Sequence, residues 1–171
     1  MHETDFDRSL RLRSCCFTGH RPEKLNLSEA EIRRALKEEI LRAIADGCDR
    51  FFTGMARGVD LWAAQEVVSL RSQYPQLQLA AAIPYEGFEA QWSPYWQQLY
   101  RSVLAACGDV HIFRKDFSYD SFQTRNRYMV DHCGRVIAVY NGTPGGTRNT
   151  VLYARELERK VFLIWDRIEE E

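Results

Sequence analysis

Three glycine-containing turns hold the residue types that bind phosphate groups. They cover residues 18–21 (Thr-Gly-His-Arg), 54–58 (Gly-Met-Ala-Arg-Gly) and 142–147 (Gly-Thr-Pro-Gly-Gly-Thr), and each follows a short apolar run. Glycine lets a backbone approach an anion closely and adopt positive φ, and the free N–H groups of a following helix supply donors at the positive end of its dipole. Threonine hydroxyls and arginine guanidinium groups add further donors. The turns therefore predict a site for a phosphate-bearing ligand.

The predicted ligand contacts come from these turns and from a later helix. Arg125 and Asn126 lie near the start of that helix, where they can hold a phosphate, a ribose or the edge of a base. His20 follows a glycine at a strand end, so it either contacts the ligand or only stabilises the turn. For any one turn, the alternative that its glycines merely end a strand and start a helix stays open. The predicted set is Thr18, Gly19, His20, Arg21, Gly54, Met55, Arg57, Gly58, Asp60, Arg125, Asn126, Gly142, Gly145, Gly146 and Thr147.

Short apolar runs alternate with longer amphipathic segments along the chain. The runs predict strands over residues 14–18, 50–53, 77–83, 109–113, 135–140 and 161–165. The segments predict helices over residues 28–46, 59–74, 88–107, 121–132 and 145–159, of which the third is either one helix or two shorter ones around Pro94. Such alternation predicts an α/β fold, namely a Rossmann-like, doubly wound, mainly parallel sheet of about six strands with helices on both faces.

Local signals fix some of the boundaries. Ser28 and Glu31 have the spacing of a capping box, and Gly47 follows the same helix as a stop signal. Pro84 is expected to end the third strand. Residues 1–171 are predicted to form one domain, with frayed ends over 1–12 and 167–171. Ligands of parallel sheets bind at the carboxyl ends of the strands, so we expect the glycine turns to surround one cleft.

The composition of the sequence argues against several classes of protein. The 171 residues carry a net charge of −1, which argues against a protein whose affinity rests on the nucleic-acid backbone. The beginning of the chain lacks an apolar signal segment, and no apolar run approaches the length of a membrane span. Five cysteines without a C-x-x-C pair are typical of a reduced, cytoplasmic protein. We expect a cytoplasmic protein that contacts no membrane and holds no metal.

Common catalytic fingerprints are missing from the sequence. No G-x-G-x-x-G follows the first strand, and neither G-x-x-x-x-G-K-[ST] nor G-x-S-x-G occurs. These absences argue against an ordinary NAD-dependent dehydrogenase, a kinase with a Walker loop and an α/β serine hydrolase.

Four segments together resemble the YpsA-like branch of the SLOG superfamily, which joins the DNA-processing protein A (SMF) family with the Lonely Guy phosphoribohydrolases. They are residues 17–22 (FTGHRP), 53–60 (TGMARGVD), 125–131 (RNRYMVD) and 137–147 (IAVYNGTPGGT). The resemblance covers residues 14–165. It implies a Rossmann-like domain that binds a nucleotide or a nucleotide derivative at its glycine loops. The second segment is similar to the S-G-x-A-x-G-I-D segment of the DNA-processing family, with Thr53 in place of the serine.

The resemblance also bears on catalysis. The phosphoribohydrolases carry P-G-G-x-G-T-x-x-E, whose glutamate serves catalysis. Pro144, Gly145 and Gly146 match this motif, but Leu152 stands at the position of the glutamate. Cleavage of an N-glycosidic bond passes through an oxocarbenium-like state that a carboxylate stabilises, so hydrolysis here requires another acid. The candidates are Asp60, Glu86 and Glu89.

The aromatic residues between positions 85 and 100 are denser than one amphipathic face requires. Tyr85 and Trp92 either stack on a base or cover the site, or the surplus rings pack in the core and at a homodimer contact.

The sequence leaves three functions open. They are a binding or sensor module for a nucleotide-derived small molecule, a nucleotide N-glycoside hydrolase, and a single-stranded DNA binder. The missing glutamate favours the binding module. The one small molecule that we expect it to bind is a nucleotide-like ligand.

Overall fold

A computed structural model describes residues 2–166. The strands are β1 (Ser14–Gly19), β2 (Arg50–Thr53), β3 (Gln78–Tyr85), β4 (Asp109–Arg114), β5 (Arg135–Tyr140) and β6 (Lys160–Trp165). The helices are α1 (Asp5–Leu12), α2 (Glu29–Ala45), α3 (Val59–Leu70), α4 (Pro94–Ala106), α5 (Tyr119–His132) and α6 (Gly146–Glu156), with a short 3-10 helix over Pro22–Lys24.

The strands form one parallel sheet in the order β4-β3-β2-β1-β5-β6, which confirms the predicted Rossmann-like α/β fold. Within β1, Cys16 aligns with Phe52 of β2 on one side and with Val136 of β5 on the other. The chain first builds the sheet outward from β1 to β4 and then crosses back to place β5 on the opposite side of β1. Open α/β sheets bind ligands at the crevice outside such a reversal. The topology therefore points to the carboxyl ends of β1 and β5.

Two hydrophobic clusters cover the two faces of the sheet. Cys15 and Phe17 pack with the buried residues of α2, α3 and α4, while Cys16 packs with those of α5 and α6. This division follows from the alternation of side chains along a strand. Within residues 2–166, no helix combines the length and the apolarity needed to cross a membrane.

The start of α2 confirms the predicted capping box. The Ser28 hydroxyl accepts a hydrogen bond from the Glu31 amide at 3.2 Å, and the Glu31 carboxylate accepts one from the Ser28 amide at 2.9 Å. Gly47 follows the helix with φ +103°, a conformation that favours glycine after a helix end.

The predicted fraying of residues 1–12 did not anticipate a helix, since residues 5–12 form α1. Thr4 caps this helix by accepting a hydrogen bond from the Asp7 amide at 3.0 Å. The end of α1 is tied to the rest of the fold, since the Gly134 amide donates to the Arg11 carbonyl at 2.8 Å. None of its residues is buried, although Phe6 and Leu10 have the spacing of one helical face. The predicted fraying of residues 167–171 lies outside the described residues.

Two boundaries predicted around β3 and α4 also differ. Pro84 lies inside β3, beyond Ala81, the last residue of this strand that pairs with β2, so its missing N–H disturbs no hydrogen bond to that neighbour. Residues 86–92 form turns instead of the predicted helix, and α4 begins only at Pro94. A residue before proline is disfavoured in the helical conformation, and Ser93 is extended, with ψ 157°.

Candidate functional site

An open cleft lies at the carboxyl ends of β1 and β5, and we call it the β1–β5 cleft. It has a volume of about 310 Å³. The turn after β1, the start of α3, the middle of α5 and the start of α6 form its walls. The lining residues are Phe17, Thr18, Gly19, His20, Arg21, Lys24, Ala56, Asp60, Phe122, Arg125, Asn126, Gly145, Gly146 and Thr147.

Ten of the predicted contacts meet in this cleft although they come from four separate parts of the chain. They are Thr18, Gly19, His20, Arg21, Asp60, Arg125, Asn126, Gly145, Gly146 and Thr147. The cleft also includes four residues that the sequence reasoning missed, Phe17, Lys24, Ala56 and Phe122. Helical spacing could have found Phe122, because it lies three and four residues before Arg125 and Asn126 and so shares their face of α5.

Three predicted contacts from the second glycine turn, Gly54, Met55 and Gly58, do not line the cleft but lie close to residues that do. Gly54 does not line it, but the carbonyl oxygen of Gly54 accepts a hydrogen bond from Nη1 of Arg125. Met55 is fully buried in the core with φ 62°. Gly58 has φ +90° and packs against Pro22, where an added Cβ would lie 2.8 Å from the proline ring. These three residues therefore position other side chains, and it is Ala56 of the same turn that lines the cleft.

Two further predicted contacts point elsewhere. Arg57 forms an ion pair with Glu23, at 2.6 Å between Nη1 and Oε1, and does not line the cleft. Gly142 is exposed beside Trp165, with φ +87°.

Of the three carboxylates proposed as acids, Asp60 alone lines the cleft. Glu86 is exposed, and its amide donates to the Arg114 carbonyl at 3.0 Å. The backbone carbonyl of Glu89 accepts from the Gln97 side chain at 3.2 Å. Both glutamates belong to the turns before α4, outside the β1–β5 cleft.

Tyr85 and Trp92, the rings proposed to stack on a base or cover the site, also lie outside this cleft. The Tyr85 ring contacts Phe88 edge to face, with centroids 5.4 Å apart, and Trp92 contacts the same ring at 4.9 Å. Phe88 is buried, so both rings pack against the core.

Asp60 and Arg125 are buried charges on facing walls of the cleft. The Asp60 carboxylate accepts a hydrogen bond from the Ala56 amide at 3.2 Å. Burial raises the pKa of Asp60, while the positive charges of Arg125 and Arg21 act in the opposite direction. Burial also lowers the pKa of Arg125 to about 10, so its guanidinium stays charged at neutral pH.

Positive charge dominates the cleft. Arg21, Lys24 and Arg125 line it with Asp60 as the one carboxylate among the described lining residues. The Arg21 guanidinium carbon lies 6.0 Å from the centroid of the Phe88 ring, and burial lowers the pKa of this arginine. Weak hydration and a rigid fork of donors suit arginine to anion binding in a partly buried place.

The N-terminus of α6 opens into the same cleft. Gly145 precedes the helix with φ +145°, and no side chain among residues 2–166 caps it. The Gly145 carbonyl accepts the first helical hydrogen bond from the Asn149 amide at 3.0 Å. The amides of an uncapped first turn point outward with the positive end of the helix dipole, which is the usual backbone site for a phosphate.

His20 adds a buried polar atom without a partner. Its side chain is 5% exposed, its ring stacks on Tyr140 at 5.6 Å, and its Nε2 atom makes no hydrogen bond within the described residues. Burial lowers the pKa of His20, with Lys24 acting in the same direction and Asp166 and Asn141 opposing it. Buried polar atoms are nearly always satisfied, so this nitrogen of a cleft residue needs a partner that the described residues do not supply.

Comparisons with known sequences match this chain to one family and to bacterial relatives. The sequence pattern of the YspA SLOG family matches residues 15–160. A UPF0398 protein of Bacillus cereus strain B4264 is 28% identical over 148 residues, which cover 81% of this chain and 80% of that protein. A UPF0398 protein of Bacillus thuringiensis strain Al Hakam is 25% identical over 152 residues, covering 84% of this chain and 83% of that protein.

Two solved structures of DNA processing protein A share the fold. The protein from Streptococcus pneumoniae superposes with a TM-score of 0.63 at 18% identity, covering 90% of this chain and 50% of that protein, so this chain spans half of its length. The protein from Helicobacter pylori, described for its single-stranded DNA binding mode, gives a TM-score of 0.65 at 17% identity, covering 98% and 72%. At such identities the likeness concerns the fold alone.

Proposed function

The chain belongs to the YspA SLOG family, and from that membership we propose that it binds a nucleotide or a nucleotide-derived small molecule in the β1–β5 cleft. SLOG domains are linked to nucleotide binding. In this proposal the phosphate of the ligand accepts hydrogen bonds from the first-turn amides of α6. The guanidinium of Arg21 and the ammonium of Lys24 balance its charge.

The observation that carries the proposal is the uncapped start of α6 inside a cleft lined by three cationic side chains and one carboxylate. A helix N-terminus and an arginine each favour an anion, and together they add charge-assisted hydrogen bonds from fixed directions. The unpaired Nε2 atom of His20, a residue of the same wall, adds support, because a polar ligand would supply its missing hydrogen bond.

A second candidate function, hydrolysis of a nucleotide N-glycosidic bond, rests on Asp60. Its carboxylate lines the cleft and its pKa is raised by burial, as in many general acids. The Ala56 amide already holds that carboxylate, however, and Leu152 is 52% exposed and lines no part of the cleft. If Gly146 and Thr147 are instead aligned with the Gly-Thr pair of the phosphoribohydrolase motif, Thr150 stands at the position of the glutamate. Neither leucine nor threonine supplies a carboxylate, so binding without efficient turnover is the better supported function.

Single-stranded DNA binding is the third candidate. It comes from the structural likeness to DNA processing protein A and has no support from charge, since the whole chain carries a net charge of −1. A protein that tracks a nucleic-acid backbone needs a stripe of Lys and Arg extending beyond a single pocket. The β1–β5 cleft is better suited to one small anionic molecule.

Native mass spectrometry of gently purified protein tests the proposal. We expect a fraction of the wild-type protein to carry an added mass that matches a nucleotide or a nucleotide derivative. Arg21→Gln should reduce that fraction, whereas Arg57→Gln, whose arginine pairs with Glu23, should keep it. Unoccupied wild-type protein that also takes up no AMP when AMP is added would contradict the proposal.

A further inference from the structure

A second depression lies beside the β1–β5 cleft, between α5 and α6, and we call it the α5–α6 groove. It has a volume of about 280 Å³. Its lining residues are Tyr119, Phe122, Gln123, Asn126, Arg127, Gly146, Asn149, Thr150 and Tyr153. Phe122, Asn126 and Gly146 line both depressions, so the two form one continuous surface.

The groove has a different chemical character from the cleft. Three aromatic rings line it, and none of its described lining residues is acidic. Tyr153 is held in place, because its hydroxyl donates to the Asp131 carboxylate at 2.5 Å and the Arg127 guanidinium carbon lies 5.1 Å from its ring centroid. Tyr119 is 84% exposed at the start of α5, so its ring is open to a ligand. Aromatic rings with nearby amide groups suit a planar heterocycle, which stacks on its faces and forms hydrogen bonds at its edges.

Asn126 lies at the junction of the two depressions. Its side-chain oxygen accepts a hydrogen bond from Nε of Arg125 at 2.7 Å. Its side-chain nitrogen lies toward Gly146, 3.9 Å from the position of a Cβ added to that glycine. Asn126 therefore connects the buried arginine of the cleft to the start of α6, and its amide can donate to the middle part of a ligand that spans both depressions.

We propose that the two depressions bind the two ends of one ligand, with the phosphate in the β1–β5 cleft and the nucleobase in the α5–α6 groove. This inference rests on the proposed function and specifies it, because it makes the ligand a nucleotide whose base lies over α5 and α6. The cleft supplies cations and helix amides, which fit a phosphate. The groove supplies the rings, and in this arrangement the residues that line both depressions contact the sugar between them.

Calorimetric titration with two probes tests the arrangement. AMP carries both ends of the proposed ligand, and ribose 5-phosphate carries only the sugar and the phosphate. Tyr119→Ala should weaken AMP binding by roughly fivefold or more, since loss of one stacking partner has effects of this size. The same variant should leave the affinity for ribose 5-phosphate within about twofold, below the effect of one stacking contact. Arg21→Gln should weaken both probes.

Matched variants show whether the ring itself is responsible. Tyr119→Phe keeps the ring and should keep the AMP affinity. Tyr95→Ala removes another exposed tyrosine that lines neither depression and should have no effect.

Three outcomes are distinguishable. If wild-type protein binds AMP and Tyr119→Ala binds it equally well, the base lies elsewhere and this inference fails while the proposed function stands. If Arg127→Gln, and not Arg21→Gln, weakens ribose 5-phosphate, the ligand lies in the reverse direction and the inference also fails. If wild-type protein binds neither probe, the inference fails together with the proposed function.

Discussion

Nη1 of Arg125 donates a hydrogen bond to the carbonyl oxygen of Gly54, and a Cβ added at Gly54 would lie 2.6 Å from that same nitrogen. The glycine of the second turn is therefore needed where a buried arginine approaches the backbone. The same added atom would lie 2.7 Å from the Asp60 carboxylate. Gly54 thus sets the positions of two charged residues of the cleft without lining it.

Gly54→Ala should destabilise the protein by about 1–3 kcal/mol, the usual effect of inserting a methyl group into a packed site. Gly108→Ala is the matched control, because no atom in the described part of the chain lies within 4 Å of its added Cβ. Its free energy of unfolding should change by less than about 1 kcal/mol. Urea denaturation of both variants provides the measurement. Equal effects in the two variants would show that the approach of Arg125 does not require glycine.

Gly146→Val should weaken AMP binding by about tenfold, equivalent to the loss of one charge-assisted contact, because its side chain would cover the first-turn amides of α6. The atom nearest to its added Cβ is Asn126 Nδ2 at 3.9 Å, so the new Cβ meets ordinary contact distances. The melting temperature should therefore stay close to that of the wild type. Unchanged affinity in the folded variant would move the phosphate away from this helix.

His20 should make stability depend on pH. Because burial lowers its folded-state pKa below the ordinary 6.5, the unfolded chain takes up the proton first as the pH falls. The contribution of neutral His20 is fully present above pH 6.5 and is lost as the pH falls below that value. Wild-type protein and His20→Gln are denatured at about pH 7.5 and at about pH 5.5. The amount by which the wild-type free energy of unfolding exceeds that of the variant should be smaller at the lower pH. An advantage that stays constant or grows on acidification would refute the shift.

Release of free base from nucleoside monophosphates should be very slow. Leucine at position 152 and threonine at position 150 lack the carboxylate that stabilises an oxocarbenium-like state. Chromatography of reaction mixtures with a panel of monophosphates measures the release directly. Multiple turnovers that disappear in Asp60→Asn, but persist in Glu86→Gln and Glu89→Gln, would identify an enzyme with a relocated acid.

The sequence predicted the parts of the fold that rest on local patterns. The bounds of β2 and β5 match the prediction, because each is a short run of large apolar residues between polar or turn-forming ones. Ser28 and Glu31 form their capping box through interactions three residues apart. Helix α1 was not predicted, although Thr4 caps it at Asp7 and Phe6 and Leu10 have helical spacing. Its eight residues bury no side chain, and its stability depends partly on distant contacts such as the one between Gly134 and Arg11.

The sequence predicted those residues of the candidate site that belong to glycine turns facing the cleft. Gly19 and Gly146 both line it, as expected of turns at neighbouring strand ends. The sequence could not show that Arg57 turns away to Glu23, nor that Lys24 turns in, because both depend on how the turn after β1 packs against the start of α3. The α5–α6 groove also depends on the packing of two helices, so no local sequence pattern predicts it.

Calorimetric titration of AMP against Arg21→Gln and Arg57→Gln tests the central claim most directly. The two arginines lie on neighbouring turns, but Arg21 lines the β1–β5 cleft and Arg57 pairs with Glu23 outside it. We expect Arg21→Gln to weaken binding by about ten- to a hundredfold through loss of a charge-assisted contact, and Arg57→Gln to stay within about twofold of the wild type. Absence of AMP binding to the wild type, or equal losses in the two variants, would contradict a nucleotide site in this cleft.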